Sequence, residues 1–391
     1  MQQRNLFLPL LLAAALVLTA CQGKPAAQSA SPEPEPTPAA TAVPSETPAA
    51  SDASAFSVAP DTSVAFITGG GDALFDSQVW AGIQTYCLAN GKECFSYAGA
   101  FQLTSGSPAN AGAEEAIAAG HKLLVASGAE FQSTVYALQD KYPQVAFLLL
   151  NGSPRDGGVA RTGPNTVSLT FDETQLGYLA GSAAVGNGDT RLGFLGDAGN
   201  PAQIRYGYGF IQGASDAAQA AGITVDLLYY YVDPMVYLSS SYETAQTPKA
   251  IADLWYRSGT QLIFSASALG DSLVIAAAEE NGGKVITTHG LLAQQSAAVV
   301  AVAEPSPAQA VSRILAAAYG GRFPGGQNQI LGCAEQAIDL DFSRMAKFGQ
   351  YDYEHAYGKL AAGTVTLLRD DAAPSPDQLP VKNVNVSFIE G

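Results

Sequence analysis

The 391-residue sequence has few basic residues and few histidines and cysteines. Lysine and arginine total 19 against 35 aspartates and glutamates, which gives a formal net charge of -16. A chain this acidic repels the phosphate backbone of nucleic acids and anionic membrane surfaces. We therefore expect no nucleic acid among its partners. The 3 histidines and 4 cysteines form no close-set cluster. We therefore predict no metal site and no cofactor.

The common motifs of enzymes are also missing. The sequence has no G-x-S-x-G turn for a nucleophilic serine and no H-E-x-x-H zinc motif. Three glycines at 69–71 follow a predicted strand, but they complete neither a dinucleotide-binding pattern nor a phosphate loop. We predict that the protein is not an enzyme and has no catalytic residues. A secreted α/β hydrolase stays as an alternative, because catalytic groups need not be close in sequence.

The N-terminal 60 residues predict export and a membrane anchor. Arg4 precedes an apolar run, Leu6 to Leu18, that is too short for a membrane span and typical of a signal peptide. Small residues then lead directly to Cys21, as in a lipobox, so we predict a signal peptide over 1–20 and palmitate on that cysteine. An ordinary secretory signal with a chance cysteine is the alternative. The predicted location is the outer, extracytoplasmic face of the cell membrane.

Residues 21–60 contain repeated proline among alanine, serine, threonine and glutamate. Such a segment has little to bury, which predicts a disordered tether. The chain beyond it alternates short apolar strands with helix-like segments. Val64–Thr68, Leu123–Ala126 and Val145–Leu150 are apolar almost throughout, as expected for strands of a parallel sheet covered on both faces.

The strand–helix alternation restarts near residue 165 and yields more units than one sheet holds comfortably. We therefore predict an α/β protein of two doubly wound lobes, with a ligand cleft at the carboxyl ends of the strands. The predicted boundaries give 61–164 plus 288–322 to the N-terminal lobe. The C-terminal lobe receives 165–287 plus 323–391, with Val381–Phe388 as a late strand.

Two cysteines lie close together in the predicted N-terminal lobe. Cys87 ends a predicted helix and Cys94 begins a predicted strand, with a turn between them. In an oxidising exterior such a pair is a disulfide candidate, and two small buried thiols are the equal alternative. Sequence spacing cannot decide between them, because a disulfide requires a specific geometry.

Several residues near predicted strand ends are candidates for ligand contact. Ser127 and Gly128 follow an apolar strand, and His289 follows a later one. Tyr237 is a candidate because an aromatic ring can stack on a flat ligand. The run Tyr229–Tyr231 is predicted to pack instead.

A recognisable segment, Asn165–Glu173, runs into Gly177–Gly181 (Gly-Tyr-Leu-Ala-Gly). Upstream, Phe75-Asp76-Ser77 is followed by Trp80-Ala81-Gly82, and downstream Gly209–Gly213 reads Gly-Phe-Ile-Gln-Gly. Together these segments resemble the basic membrane protein (BMP) family of ABC-transporter receptor lipoproteins, which includes purine-nucleoside receptors. The resemblance runs from about residue 64 to residue 315.

The resemblance implies a type I periplasmic-binding-protein fold, with two lobes, a three-stranded hinge and a small ligand between the lobes. It implies Phe75 as an aromatic that stacks on the ligand, and it places Asp76 where the family has asparagine. The family's ribose-binding residues are not matched, since Thr287-Thr288-His289 replaces its Gly-Val-Asp and the region of Glu304 offers no lysine. We hypothesise that Asp76 and Glu304 form an acidic pair for a ligand with an amine or several hydroxyl donors.

The predicted function is that of a monomeric, membrane-anchored solute receptor of an ABC importer. A nucleoside or another small polar solute would bind in the cleft and favour the closed state, which an ABC permease would then recognise. Two further alternatives are a lipoprotein sensor of the same fold that does not transport, and an adhesive surface protein without a small-molecule site.

Overall fold

The computed structural model describes residues 56–69, 73–98, 111–233, 247–267, 270–369 and 371–389. The predicted signal peptide, Cys21, Tyr237 and most of the predicted tether lie outside these residues. The end of the predicted tether is wrong, because Phe56 pairs with Phe323 and Val58 is buried in the core. These apolar side chains pack against the folded part, which therefore includes residues from Phe56 onwards.

The described part alternates strands and helices along its whole length. In chain order the strands are β1 (Val64–Thr68), β2 (Cys94–Ala98), β3 (Leu123–Ser127), β4 (Ala146–Leu150), β5 (Arg155–Asp156), β6 (Val159–Ala160), β7 (Thr166–Phe171), β8 (Arg191–Asp197), β9 (Val225–Val232), β10 (Leu262–Ser265), β11 (Lys284–Thr287), β12 (Val299–Pro305), β13 (Gln327–Leu331), β14 (Ile338–Asp341) and β15 (Val384–Ile389). The helices are α1 (Ala73–Asn90), α2 (Ala111–Ala118), α3 (Gln132–Lys141), α4 (Glu173–Gly186), α5 (Pro201–Ala221), α6 (Pro248–Arg257), α7 (Asp271–Asn281), α8 (Gly290–Ala293), α9 (Pro307–Tyr319) and α10 (Gln350–Ala361).

The strands form two large sheets, which confirms the predicted α/β fold of two lobes. The first sheet is parallel throughout, in the order β13-β7-β4-β3-β1-β2. The second has the order β14-β12-β11-β10-β8-β9-β15, and its edge strand β14 alone runs antiparallel to its neighbour. Every residue of β3 and β4 is buried, as expected for apolar strands covered on both faces. The predicted late strand is present as β15.

The chain passes between the two sheets three times, and these crossings form the hinge. They lie at Asp172, at Ser306 and over 332–337, after β7, β12 and β13. Backbone bonds join them, since Asp172 N–H donates to Leu331 O and Ser306 N–H donates to Ala337 O. The predicted lobe boundaries differ from this arrangement: β7 and β13 lie in the first sheet, and β12 in the second. Apolar strands of both lobes look alike in sequence, so their partners could not be read locally.

Helices α4 and α5 contact each other through glycine. A Cβ atom on Gly177 or Gly181 would collide with the backbone of α5, and one on Gly209 or Gly213 with the backbone of α4. Residues four apart share one face of a helix, so each pair of glycines forms a flat strip on its helix. The Gly-Tyr-Leu-Ala-Gly segment therefore has a packing reason for its glycines.

Candidate functional site

A cavity of about 780 Å³ lies between the two lobes, near the carboxyl ends of their strands. Its first-lobe lining is Phe75, Ala129, Gln132, Asn151, Ser153 and Arg155. Its second-lobe lining is Asn200, Pro201, Ala202, Gln203, Arg205, Tyr206, Ala266, Thr288 and His289. Beside the hinge it is lined by Thr170, Phe171, Glu173 and Pro305. The volume falls within the usual range for small-molecule sites, roughly 300–1,000 Å³.

Two predicted site residues, Phe75 and His289, lie on the wall of this cavity. Phe75 is in the first turn of α1 and packs edge-on against Phe171, with 5.7 Å between ring centroids. That contact fixes the ring beside the hinge, where one face of a flat ligand can pack against it.

Asp76 lies behind the wall instead of on it. Thr68 Oγ1 donates to one carboxylate oxygen and Ser127 Oγ donates to the other at 2.5 Å. The two hydroxyls belong to residues in register at the ends of β1 and β3. Asp76 and Ser127 are both buried, so they join strand ends and hold the position of Phe75.

Gly128 has no side chain, and the carboxylate of Glu130, a residue that the sequence analysis did not select, occupies the space beside it. Its φ of 118° lies in the region open to glycine, and a Cβ there would collide with the side chain of Glu130. Burial raises the pKa of Glu130, and nearby Asp76 raises it further. The neighbouring Ala129 lines the cavity, so Gly128 shapes the wall through its backbone.

Glu304 lies in a different place from the one predicted. It lines a second cavity of about 320 Å³, bordered by α1, α8, β12 and β14. Burial raises the pKa of its carboxylate, and the Gly290 backbone and the Gln78 side chain oppose that shift. Asp76 and Glu304 do not line a common cavity, so the hypothesis of an acidic pair has no geometric support. Strand β12 passes behind the wall there, and only Pro305 reaches the larger cavity.

The second lobe has its own buried aspartate, Asp271, which the sequence did not single out. It is fully buried at the first position of α7 and accepts hydrogen bonds from the Ser265 and Thr287 hydroxyls, each at 2.5 Å. It also accepts the backbone N–H of Ser267 at 3.1 Å. His289 Nδ1 lies 2.7 Å from Asp271 Oδ2. Because a carboxylate only accepts, Nδ1 carries a proton, and when the ring is neutral Nε2 is therefore an acceptor.

Charged residues that sequence reasoning missed line the cavity near the hinge. Arg205 Nε donates to Glu173 Oε2 at 2.8 Å, and burial raises the pKa of Glu173 although Arg205 opposes the shift. Arg155 lines the wall from the first lobe. The α5 N-terminus borders the same space, and Asn200 caps it by accepting from Ala202 N–H at 3.1 Å. The rule that ligands bind at the carboxyl ends of strands was the available signal for these positions.

The structure contains the two cysteines as free thiols. Cys87 is buried, and its burial, followed by the effect of Cys94, raises its pKa to about 12. The disulfide is therefore absent here, and the alternative of two thiols describes the structure. The predicted packing of the tyrosine run is confirmed, because Tyr229 and Tyr230 are buried and Tyr229 bonds to the Tyr231 hydroxyl at 2.6 Å.

No group of three or more His, Cys, Asp and Glu side chains among the described residues could hold a metal ion. No helix in the same part of the chain is long and apolar enough to cross a membrane.

Solved structures share this fold. A solute-binding protein of an ABC transporter from Conexibacter woesei matches with a TM-score of 0.60 and 20% identity, over 79% of this chain and 99% of its own. One from Aeropyrum pernix matches with a TM-score of 0.57 and 16% identity, over 79% and 93%. A transcriptional activator of the comK gene from Bacillus halodurans matches with a TM-score of 0.58 and 15% identity, over 78% and 99%.

These likenesses confirm the type I periplasmic-binding-protein fold. A family model described as ABC transporter substrate-binding protein, PnrA-like, matches residues 62–361. That span covers the first sheet, six of the seven strands of the second sheet, the hinge and the interlobe cavity. The chain therefore belongs to the Bmp family of PnrA-like ABC transporter substrate-binding proteins.

Proposed function

We propose that this protein is a membrane-anchored, extracytoplasmic receptor that delivers a small polar ligand to an ABC importer. The observation that carries the proposal is the cavity of about 780 Å³ with lining residues from both lobes and from beside the hinge. A ligand that touches both lobes favours the closed state, because only closure completes its contacts. The ABC permease would bind that closed state of a monomeric receptor.

A nucleoside-like ligand fits the residues on the wall. Phe75 offers an apolar ring for a base, while Gln132, Asn151 and Gln203 offer amides for polar edges and hydroxyls. His289, held through Nδ1 by Asp271, adds an acceptor on the second lobe. The absence of the family's lysine near Glu304 means that other side chains would have to hold a ribose.

The ligand test is thermal unfolding of the full-length protein in detergent with purine and pyrimidine nucleosides, free bases, pentoses, hexoses and amino acids. A ligand at 100 times its dissociation constant stabilises the folded state by roughly 2.7 kcal/mol, which gives a clear shift. A selective shift with nucleosides supports the proposed ligand. A shift with another class alone would keep the receptor and reject the nucleoside, and no shift with any compound would contradict the receptor.

The anchor and the transport role need separate experiments. Metabolic labelling with palmitate should mark the protein in cells, and Cys21→Ser should lose the label and leave the membrane fraction. Uptake of the compound that binds should fall when the gene is deleted and return with the intact chain. Binding without any effect on uptake would favour a sensor over a transport receptor.

A further inference from the structure

Two arginines line the interlobe cavity from opposite sides. Arg155 belongs to β5, which packs against α3 of the first lobe. Arg205 belongs to α5, which packs against β8, β9 and β15 of the second lobe. Basic residues are scarce in this chain, 19 against 35 acidic ones, so two guanidinium groups on one cavity are a notable concentration.

The chain around Arg155 is built to face the cavity. Asn151, Ser153 and Arg155 all line it. Asn151 N–H donates to Leu169 O at 2.9 Å, which fixes the start of the segment beside β7. Asn151 also has a φ of 56°, a conformation that is uncommon outside glycine and frequent at binding sites.

The charges on the wall are unevenly matched. Arg205 is paired with Glu173 at 2.8 Å. Among the described residues, no carboxylate lies within ion-pair distance of Arg155. Arg161 in the same connection is different, because it binds Asp140 away from the cavity, with Nη1 donating to Oδ1 at 3.0 Å.

We propose that the ligand of this cavity carries an anionic group, a carboxylate or a phosphate, held by Arg155 from one lobe and Arg205 from the other. The inference rests on the proposed receptor function and specifies its ligand class. A guanidinium group binds a carboxylate or phosphate through two parallel hydrogen bonds. Arg155 adds to the wall a positive charge that no carboxylate offsets, and an anion that contacts both guanidinium groups neutralises that charge while joining the two lobes. Binding of the anion thereby favours closure.

The experiment compares neutral compounds with their anionic counterparts by calorimetry on the full-length protein in detergent. The pairs are adenosine and adenosine 5′-monophosphate, ribose and ribose 5-phosphate, and glucose and glucuronate. We expect one anionic member to bind more tightly than its neutral partner, with an affinity that falls as salt rises. Glucuronate against the two phosphates distinguishes a carboxylate ligand from a phosphate ligand.

Variants of the two arginines of this connection give the matched control. Arg155→Gln should lower the affinity for the anionic compound about 10- to 100-fold and leave the affinity for its neutral partner unchanged. Arg155→Lys, which keeps the charge but loses the two-pronged geometry, should give a smaller loss. Arg161→Gln removes the same charge outside the cavity and should leave the affinity unchanged.

Two results would overturn the inference while keeping the receptor. One is a neutral compound that binds as tightly as its anionic partner, and the other is an anionic compound whose affinity survives Arg155→Gln. No binding by any compound of either charge, here and in the broader panel, would contradict the proposed receptor and the inference together.

Discussion

The two lobes join the carboxyl ends of their strands in the same way, with a buried aspartate in the first turn of the following helix. Asp76 accepts hydroxyls from Thr68 and Ser127, which are in register on β1 and β3. Asp271 accepts hydroxyls from Ser265 and Thr287, in register on β10 and β11.

The two lobes differ in the further hydrogen bonds that this aspartate accepts. Asp271 also accepts from the backbone of Ser267 and from His289, whose ring reaches the cavity. The hydroxyls that donate to Asp76 belong to Thr68 and Ser127, which do not line the cavity, although its neighbour Phe75 does. The comparison shows that one structural device can brace strand ends in one lobe and, in the other, also bond directly to a candidate ligand contact.

The largest expected effect is on stability when each aspartate is removed. Asp271→Ala removes the acceptor of four hydrogen bonds from buried or half-buried groups and should cost about 4 kcal/mol of unfolding free energy. Asp76→Ala removes the acceptor of two and should cost about 2 kcal/mol. Urea unfolding measures both, and Asp61→Ala, at an exposed position, should change stability by less than about 0.5 kcal/mol. Equal losses at the two sites would break the comparison.

Removing a single hydroxyl donor should cost less stability than removing its aspartate, and the loss should again be larger in the second lobe. The Thr287 hydroxyl donates to Asp271 and accepts from His289 N–H at 3.1 Å, so Thr287→Val should cost about 2 kcal/mol. Ser127→Ala removes one bond to Asp76 and should cost about 1 kcal/mol. The same unfolding measurements compare them, with exposed Ser77→Ala as the control. A larger loss at Ser127 would show that the first-lobe edge depends on its aspartate more than the bond count indicates.

His289 tests whether the second edge is a binding device. His289→Gln should weaken binding of the ligand found in the panel about tenfold, because it removes one oriented acceptor, and should cost about 1 kcal/mol of stability through the lost bond to Asp271. Calorimetric titration gives the affinity. His355→Gln changes an exposed histidine away from the cavity and should leave the affinity as it was. Unchanged affinity in His289→Gln would show that the aspartate networks of both lobes contribute to stability and not to ligand binding.

The smallest expected effect is on the pH dependence of stability, and it comes from a histidine at the opposite end of the first sheet. His121 is buried, with Nδ1 2.6 Å from Ser63 Oγ and Nε2 2.7 Å from Tyr97 OH. Burial lowers its pKa, so below about pH 6.5 the unfolded chain takes up a proton that the folded chain resists. This contribution is complete above that pH and is lost as the pH falls.

Urea unfolding at pH 7.5 and pH 5 checks this expectation. His121→Gln should lose less stability between the two values than the unaltered protein, while His355→Gln should match the unaltered protein. An identical pH dependence in all three proteins would show that His121 titrates alike in the folded and unfolded chain.

Sequence reasoning found the elements and part of the site. It chose His289 because it follows a strand, and Phe75 through the resemblance to the BMP family, and both residues line the cavity. It also chose Asp76 and Ser127, which lie behind the wall, and Glu304, which lines another cavity. Arg155, Arg205 and Asp271 were missed, since nothing near them in the sequence shows which strand ends meet.

By itself the sequence determined the fold class and the alternation of strands and helices in two lobes. Apolar runs, helical spacing and glycine positions are local properties that the chain carries wherever its neighbours lie. Only the tertiary structure decided the hinge crossings, the partners of each aspartate and the meeting of two arginines on one cavity. These depend on pairing between strands far apart in the chain, such as β13 with β7, and apolar strands give no local sign of their partner.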